Sequence, residues 1–224
     1  MHHQPLSAIW TEFDVDTLTA AADRFFRCYA THCLEPDADT LFAYFNALHS
    51  FNDKLTKSNK GSLFGSADFV ALKSLRNLFH HEAELVHEVR FILTRDLPPA
   101  TAELATACLV ERQLLERAME RETKDRERIA GAFRWYGAVA DIQPCVFNGA
   151  VDIYEAVCSA QLEPESEEFA MFDQSYKFET ESYHAHRVTG TISCLAADVD
   201  EVVRKAFLAS HPQSARHLRS GFDR

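Results

Sequence analysis

The segment from Ser66 to about Thr94 constrains the fold more than any other part of the chain, because its apolar and polar residues separate at helical spacing. Turned at about 100° per residue, it places Leu72, Leu75, Leu78, Phe79, Leu85, Val86, Val89 and Leu93 on one side. Lys73, Arg76, Asn77, His80, His81, Glu84, His87 and Glu88 fall within an opposite arc of roughly 140°. The first side is an ordinary core face, interrupted by Glu82. The second is unlike the usual wet side of a helix, which carries Lys, Glu, Gln and Arg. Three imidazoles gathered with an amide, a guanidinium and carboxylates suggest proton transfer near neutral pH or metal ligation.

Other helices are marked in the same way. Asp16 can cap a first helix bearing Leu18, Ala21, Ala22, Phe25, Phe26 and Tyr29 on one face. The stretch Cys33 to Asp37 breaks it, and Asp37 or Asp39 opens a second helix with Leu41, Phe42, Phe45, Leu48, Phe51 and Leu55 in step. Residues 57–65 read as a loop, and Ser66 caps the striped helix. Thr101 can cap a fourth helix, whose middle, Glu111 to Arg128, alternates in charge like a solvated face. Val151, Tyr154, Val157 and Cys158 indicate a short helix. The acidic run after Pro164 suits another helix N-terminus. Tyr176 to Val188 fits a helix or a strand, and Leu195, Val199, Val202, Val203 and Phe207 suggest a last helix. With only 7 Gly and 7 Pro the chain is not a turn-rich β protein. The expectation is an all-α protein of about seven helices: a helical bundle over 1–130 and a C-terminal helical extension over 131–224 that can pack into the same domain.

The net charge of −11 argues against broad nucleic-acid binding through a basic surface and leaves room for a small basic site. No apolar run approaches the ~18 residues of a membrane span, and the N-terminus lacks the pattern of a signal peptide. Cys28, Cys33, Cys108, Cys145, Cys158 and Cys194 form no Cys-x-x-Cys pair and read as reduced core thiols. These features together point to a cytoplasmic protein without a membrane partner.

The run Arg76-Asn77-Leu78-Phe79-His80-His81 resembles the Arg-x(4–6)-His signature of the HEPN domain (higher eukaryotes and prokaryotes nucleotide-binding), with a polar residue directly after the Arg. The resemblance covers about residues 15 to 130. It implies a helical bundle in which Arg76 and His81 are the catalytic pair and Asn77 is the polar residue beside the Arg; the stripe itself adds His80, Glu84 and His87 as auxiliary candidates. The resemblance also implies a motif cleft between two protomers, an RNA or nucleotide ligand, and no cofactor. Many members are metal-independent ribonucleases of toxin–antitoxin, defence or RNA-processing systems, so an antitoxin or operon partner is implied as well. Ala83 stands two residues after His81, where one toxin subgroup has Tyr. The chemistry is sensible in itself. An imidazole can take a proton from a ribose 2′-OH or give one to the departing 5′-oxygen, and a guanidinium can neutralise the phosphoryl oxygens.

Two other readings compete. Glu84-Leu85-Val86-His87 and Glu181-Ser182-Tyr183-His184 are both Glu-x-x-His, which with two further Glu would make a ferritin-like di-metal site of Glu84, His87, Glu181 and His184. Alternatively the stripe is the partner surface of a non-catalytic helical interaction protein. Arg204 and His211 also satisfy the bare Arg-to-His spacing, which marks how little that spacing alone specifies.

Overall fold

The computed structural model describes residues 6–81, 89–97 and 100–204. Helices predominate, and the described residues also contain six short strands in two antiparallel sheets. The chain is therefore helix-rich, and the all-α expectation is corrected.

Helices α1 (Leu6–Leu34) and α2 (Ala38–Lys57) pack along one another. Asp16 lies inside α1 and does not begin it. Asp37 does cap α2: its carboxylate accepts from the Thr40 N–H at 2.7 Å, and the Thr40 hydroxyl accepts from the Asp37 N–H at 3.0 Å. Helix α3 (Ala67–His81) begins as expected, with the Ser66 hydroxyl accepting from the Phe69 N–H at 3.1 Å. Its described part ends at His81, and the chain is in a strand by Arg90.

The sheet strands are β1 (Arg90–Leu93), β2 (Ala100–Ala102), β3 (Thr106–Glu111), β4 (Arg134–Tyr136), β5 (Val139–Asp141) and β6 (Ile192–Cys194). The larger sheet runs β1-β3-β5-β4, with Phe91 opposite Cys108 and Val110 opposite Ala140. Strands β2 and β6 form the smaller sheet. The sequence reads one helix from Thr101 through the charged run at 111–128, and the reason it does not hold lies in β3. Thr106 to Val110 are all buried, with Cys108 and Val110 in the main core and Ala107 and Leu109 against Val139 on the other face. A strand buried on both faces loses its alternation and cannot be told from helix by period. Only the charged part of that segment is helical, as α4 (Arg112–Glu120) and α5 (Arg126–Ala132).

Helix α6 (Gln143–Ser159) is the centre of the core, with Cys145, Val146, Ala150, Val151, Ile153 and Val157 buried against α1, α3 and β3. Residues on both sides of Gly131 thus share one sheet and one core. The buried Tyr44 hydroxyl donates to the Val146 carbonyl at 2.8 Å. Asp141 Oδ1 accepts the N–H groups of Cys108 at 2.8 Å and Gln143 at 2.9 Å, fastening the sheet to the start of α6. Burial pushes this carboxyl up to about 6, against those two N–H donors, which pull it down.

Helix α7 (Glu167–Glu181) is capped by Ser166 and lies on α1 through Phe26–Phe169 and Tyr29–Phe172 ring contacts. The ambiguous 176–188 segment is helix to Glu181 and irregular beyond it. That irregular stretch is held by polar contacts. Arg187 pairs with Asp152 at 2.7 Å and Glu155 at 2.8 Å, and the Glu103 carboxylate accepts the consecutive N–H groups of Thr189, Gly190 and Thr191. Helix α8 (Val199–Val203) closes the described chain.

Two outcomes test this core. A Cβ at Gly149 would stand 2.7 Å from the Tyr44 hydroxyl and 2.8 Å from a Leu72 methyl. Gly149→Ala gains roughly 1 kcal/mol of helix propensity but overpacks the contact by about 1–3 kcal/mol, so urea unfolding should report a net loss. For Asp141 the folded state holds its proton more tightly than the unfolded chain. This favours the folded state fully below about pH 4 and is lost as pH rises through about 6, an effect on the order of 3 kcal/mol. Asp141→Asn keeps an acceptor for both N–H groups. Its stability should fall less than that of the parent when pH is raised from about 4 to about 7.

Candidate functional site

The functional candidates sit on α3, and the register of α2 against α3 decides what they face. Phe45 stacks on Phe79 with ring centroids 6.0 Å apart, and Asn46 meets Arg76. Residue numbers thus rise along α2 as they fall along α3. In this antiparallel arrangement the polar edge of α2, Asn46, His49 and Asp53, adjoins Lys73, Arg76 and Asn77 on α3. The α2 residues recur at i, i+3 and i+7, one face of a helix.

Arg76 is half-buried and oriented by neutral groups. Its Nε donates to Asn46 Oδ1 at 3.2 Å, and one terminal nitrogen lies 3.5 Å from Asn77 Oδ1. Among the described residues its partners are amide oxygens, which fix a guanidinium without neutralising it. Lys73 is committed elsewhere. Its ammonium donates to Glu122 at 3.0 Å and lies 5.8 Å from the centre of the Phe64 ring.

His80 and His81 are exposed at the end of α3, their rings edge to face at 5.4 Å between centroids. Helix geometry aligns Arg76 with His80 and Asn77 with His81, each pair one turn apart, and His81 lies about 7 Å along the axis from Arg76. Arg76, Asn77, His80 and His81 thus share one helix end, as the sequence indicates. Glu84 and His87, like Glu82 and Glu88, lie outside the described residues.

The α2 contribution is absent from the sequence reading. His49 Nδ1 lies 3.3 Å from Asp53 Oδ2, with the imidazole about one-quarter exposed and the carboxylate half exposed. Burial lowers the pKa of His49, and Arg76 and Lys73 lower it further, while Asp53 opposes them. The signal was present, since Asn46, His49 and Asp53 form a polar stripe on a helix that buries Leu41, Phe45, Leu48 and Leu55. Only the register across the turn shows that this face meets Arg76.

The other proposed ligands stand apart from the stripe. Glu181 ends α7, and His184 follows in the irregular segment, both exposed. Among the described residues no group of three His, Cys, Asp or Glu side chains is close enough to hold a metal ion. The nearby His186 is engaged with Glu179 at 2.9 Å and stacks on Tyr176 at 3.6 Å. All six cysteines are free, with Cys108 and Cys145 buried, Cys28 and Cys194 half-buried, and Cys33 and Cys158 exposed. The core-thiol reading therefore describes two of them fully. No helix among the described residues is long and apolar enough to cross a membrane.

A separate polar hollow of about 380 Å³ opens beside the first turn of α3 and includes Asp68, Arg134, Asn148 and Thr189 in its lining. Burial raises the Asp68 carboxyl to about 6. The Asp68 backbone carbonyl accepts from the buried Cys145 thiol at 3.3 Å. Its neighbours Asn148 and Asp152 hold the 187–188 backbone and Arg187, which gives the cluster a structural task.

Comparison with protein-family models, curated proteins and solved structures finds no match.

Proposed function

We propose that this chain is a HEPN-like RNA-binding protein acting as a metal-independent endoribonuclease, with the Arg76–His81 end of α3 as its site. The observation that carries the reading is the state of Arg76: a half-buried guanidinium held by the amide oxygens of Asn46 and Asn77, with two exposed imidazoles on the same helix end. Such a group suits a phosphodiester. Charge grows on the non-bridging oxygens as the 2′-oxygen attacks, and a fixed guanidinium stabilises that charge with paired hydrogen bonds. His81 protonates the departing 5′-oxygen in its imidazolium form. Asn77 orients the Arg, and His80 sits beside the proton donor as an auxiliary group.

The overall acidity fits a small cationic spot better than an extended nucleic-acid track. Cytoplasmic RNA is the proposed target, and a two-fold homodimer would bring two copies of the stripe around one phosphate. A toxin–antitoxin or defence role, with an operon-encoded partner, follows from the family resemblance.

The test separates chemistry from folding. The purified protein should cleave single-stranded RNA in EDTA, and light scattering should find a dimer. Arg76→Ala and His81→Ala should abolish cleavage while costing no more than about 1 kcal/mol of stability. His80→Ala should do less harm. Leu78→Ala, at a fully buried position, should cost roughly 2–5 kcal/mol. Variants of Arg76 and His81 that cleave like the parent, or that lose activity only by unfolding, would overturn the reading.

A further inference from the structure

The geometry points to His49, oriented by Asp53, as the general base that takes the 2′-OH proton at the Arg76 site. The inference rests on the ribonuclease reading above and adds a residue outside the α3 motif, on a different helix.

A base for this reaction needs an unprotonated nitrogen facing the substrate, a partner that fixes its tautomer, and a position beside the group that binds the phosphate. His49 has the partner, and it stands one turn along α2 from Asn46, which holds Arg76. With Asp53 Oδ2 at 3.3 Å from Nδ1, the proton belongs on Nδ1, and Nε2 keeps its lone pair. The groups acting on the imidazole are Asp53 from its own helix and Arg76 and Lys73 from α3. The two cations and partial burial favour the neutral ring, the form that accepts a proton, whereas Asp53 stabilises the imidazolium once formed. The cation that lowers the affinity of His49 for a proton is also the one assigned to the phosphate. Proton acceptor and anion site are therefore neighbours.

The step balances with these groups. His49 Nε2 takes the proton of the 2′-OH, and the 2′-oxygen forms a bond to phosphorus. The bond from phosphorus to the 5′-oxygen breaks, and that oxygen takes a proton from the His81 imidazolium. The products are a 2′,3′-cyclic phosphate and a 5′-hydroxyl end. Arg76 holds the phosphoryl oxygens throughout. His49 and His81 return to their starting forms by exchange with water.

The experiment uses a fluorescent single-stranded RNA oligonucleotide in EDTA, with its all-2′-deoxy counterpart as a binding control, and follows kcat/KM against pH. The parent should lose activity on the acid side as His49 becomes protonated. His49→Gln should lower kcat by about 100-fold or more, leave binding of the deoxy control unchanged, and remove that acid limb. Asp53→Asn should lower kcat less and move the limb to lower pH, because the influence that raises the His49 pKa is gone. Unchanged thermal melting of both variants establishes that the fold is intact. If His49→Gln cleaves at the parental rate while Arg76→Ala is inactive, this inference fails and the ribonuclease reading stands. An acid limb that survives in His49→Gln also overturns it, since another group is then the base. No cleavage by the parent, or full cleavage by Arg76→Ala, overturns the ribonuclease reading itself.

Discussion

The close approach of α6 to the α2–α3 pair is the constraint on which the rest of the molecule depends. It occurs at Gly149, where the Tyr44 hydroxyl and a Leu72 methyl occupy the space a side chain would need. One turn earlier the same Tyr44 hydroxyl bonds to the Val146 carbonyl, so a buried polar group and a bare backbone position are solved together. Tyr44 also lies among Phe25, Tyr29 and Phe45, which joins this contact to α1. Helix α6 is thereby packed on the core side of α2 and α3, and their polar edges are left facing outward.

That arrangement accounts for the form of the candidate site. The Phe45–Phe79 stack sets the antiparallel register of the two helices, and the register sets Asn46 against Arg76. A slip of one turn would present a different α2 residue to the guanidinium. The partner found there is an amide, which orients the cation without neutralising it. Lys73 shows the contrast. Its bond to Glu122 ties α3 to the connection between α4 and α5, and its charge is spent inside the protein.

What the sequence reveals follows from how local each signal is. The Asp37–Thr40 and Ser66 caps depend on residues three apart: the sequence offers Asp37 or Asp39 for α2 and Ser66 for α3, and the structure uses Asp37 and Ser66. The polar stripe from Lys73 to His81 is equally local. Strand β3 is not, because Thr106 to Val110 become a strand by being covered on two faces by segments distant in sequence, Val139 and α6 among them. Period alone gives the same apolar run to a helix. The His49–Asp53 pair is local and visible, yet its meaning is tertiary: it lies on the helix whose Asn46, thirty residues before Arg76, bonds to that guanidinium.

The two kinds of polar cluster in the molecule differ in one physical respect, and that difference favours the α2–α3 edge as the working one. Around Asp152, Glu155 and Arg187 opposite charges are paired with one another, and Asn148 bonds the Val188 backbone, which fixes the 187–188 stretch to α6. Glu103 does the same through three consecutive N–H groups. Such groups have their partners already, and recruiting a ligand would cost those contacts. At the α2–α3 edge the cation is bonded to neutral oxygens, the imidazole of His49 is oriented but kept toward its neutral form, and His80 and His81 are exposed. Among the described residues Arg76 has no ion pair that a phosphodiester placed there would have to break. In a chain of net charge −11, a cation held by neutral oxygens is a favourable place for an anion.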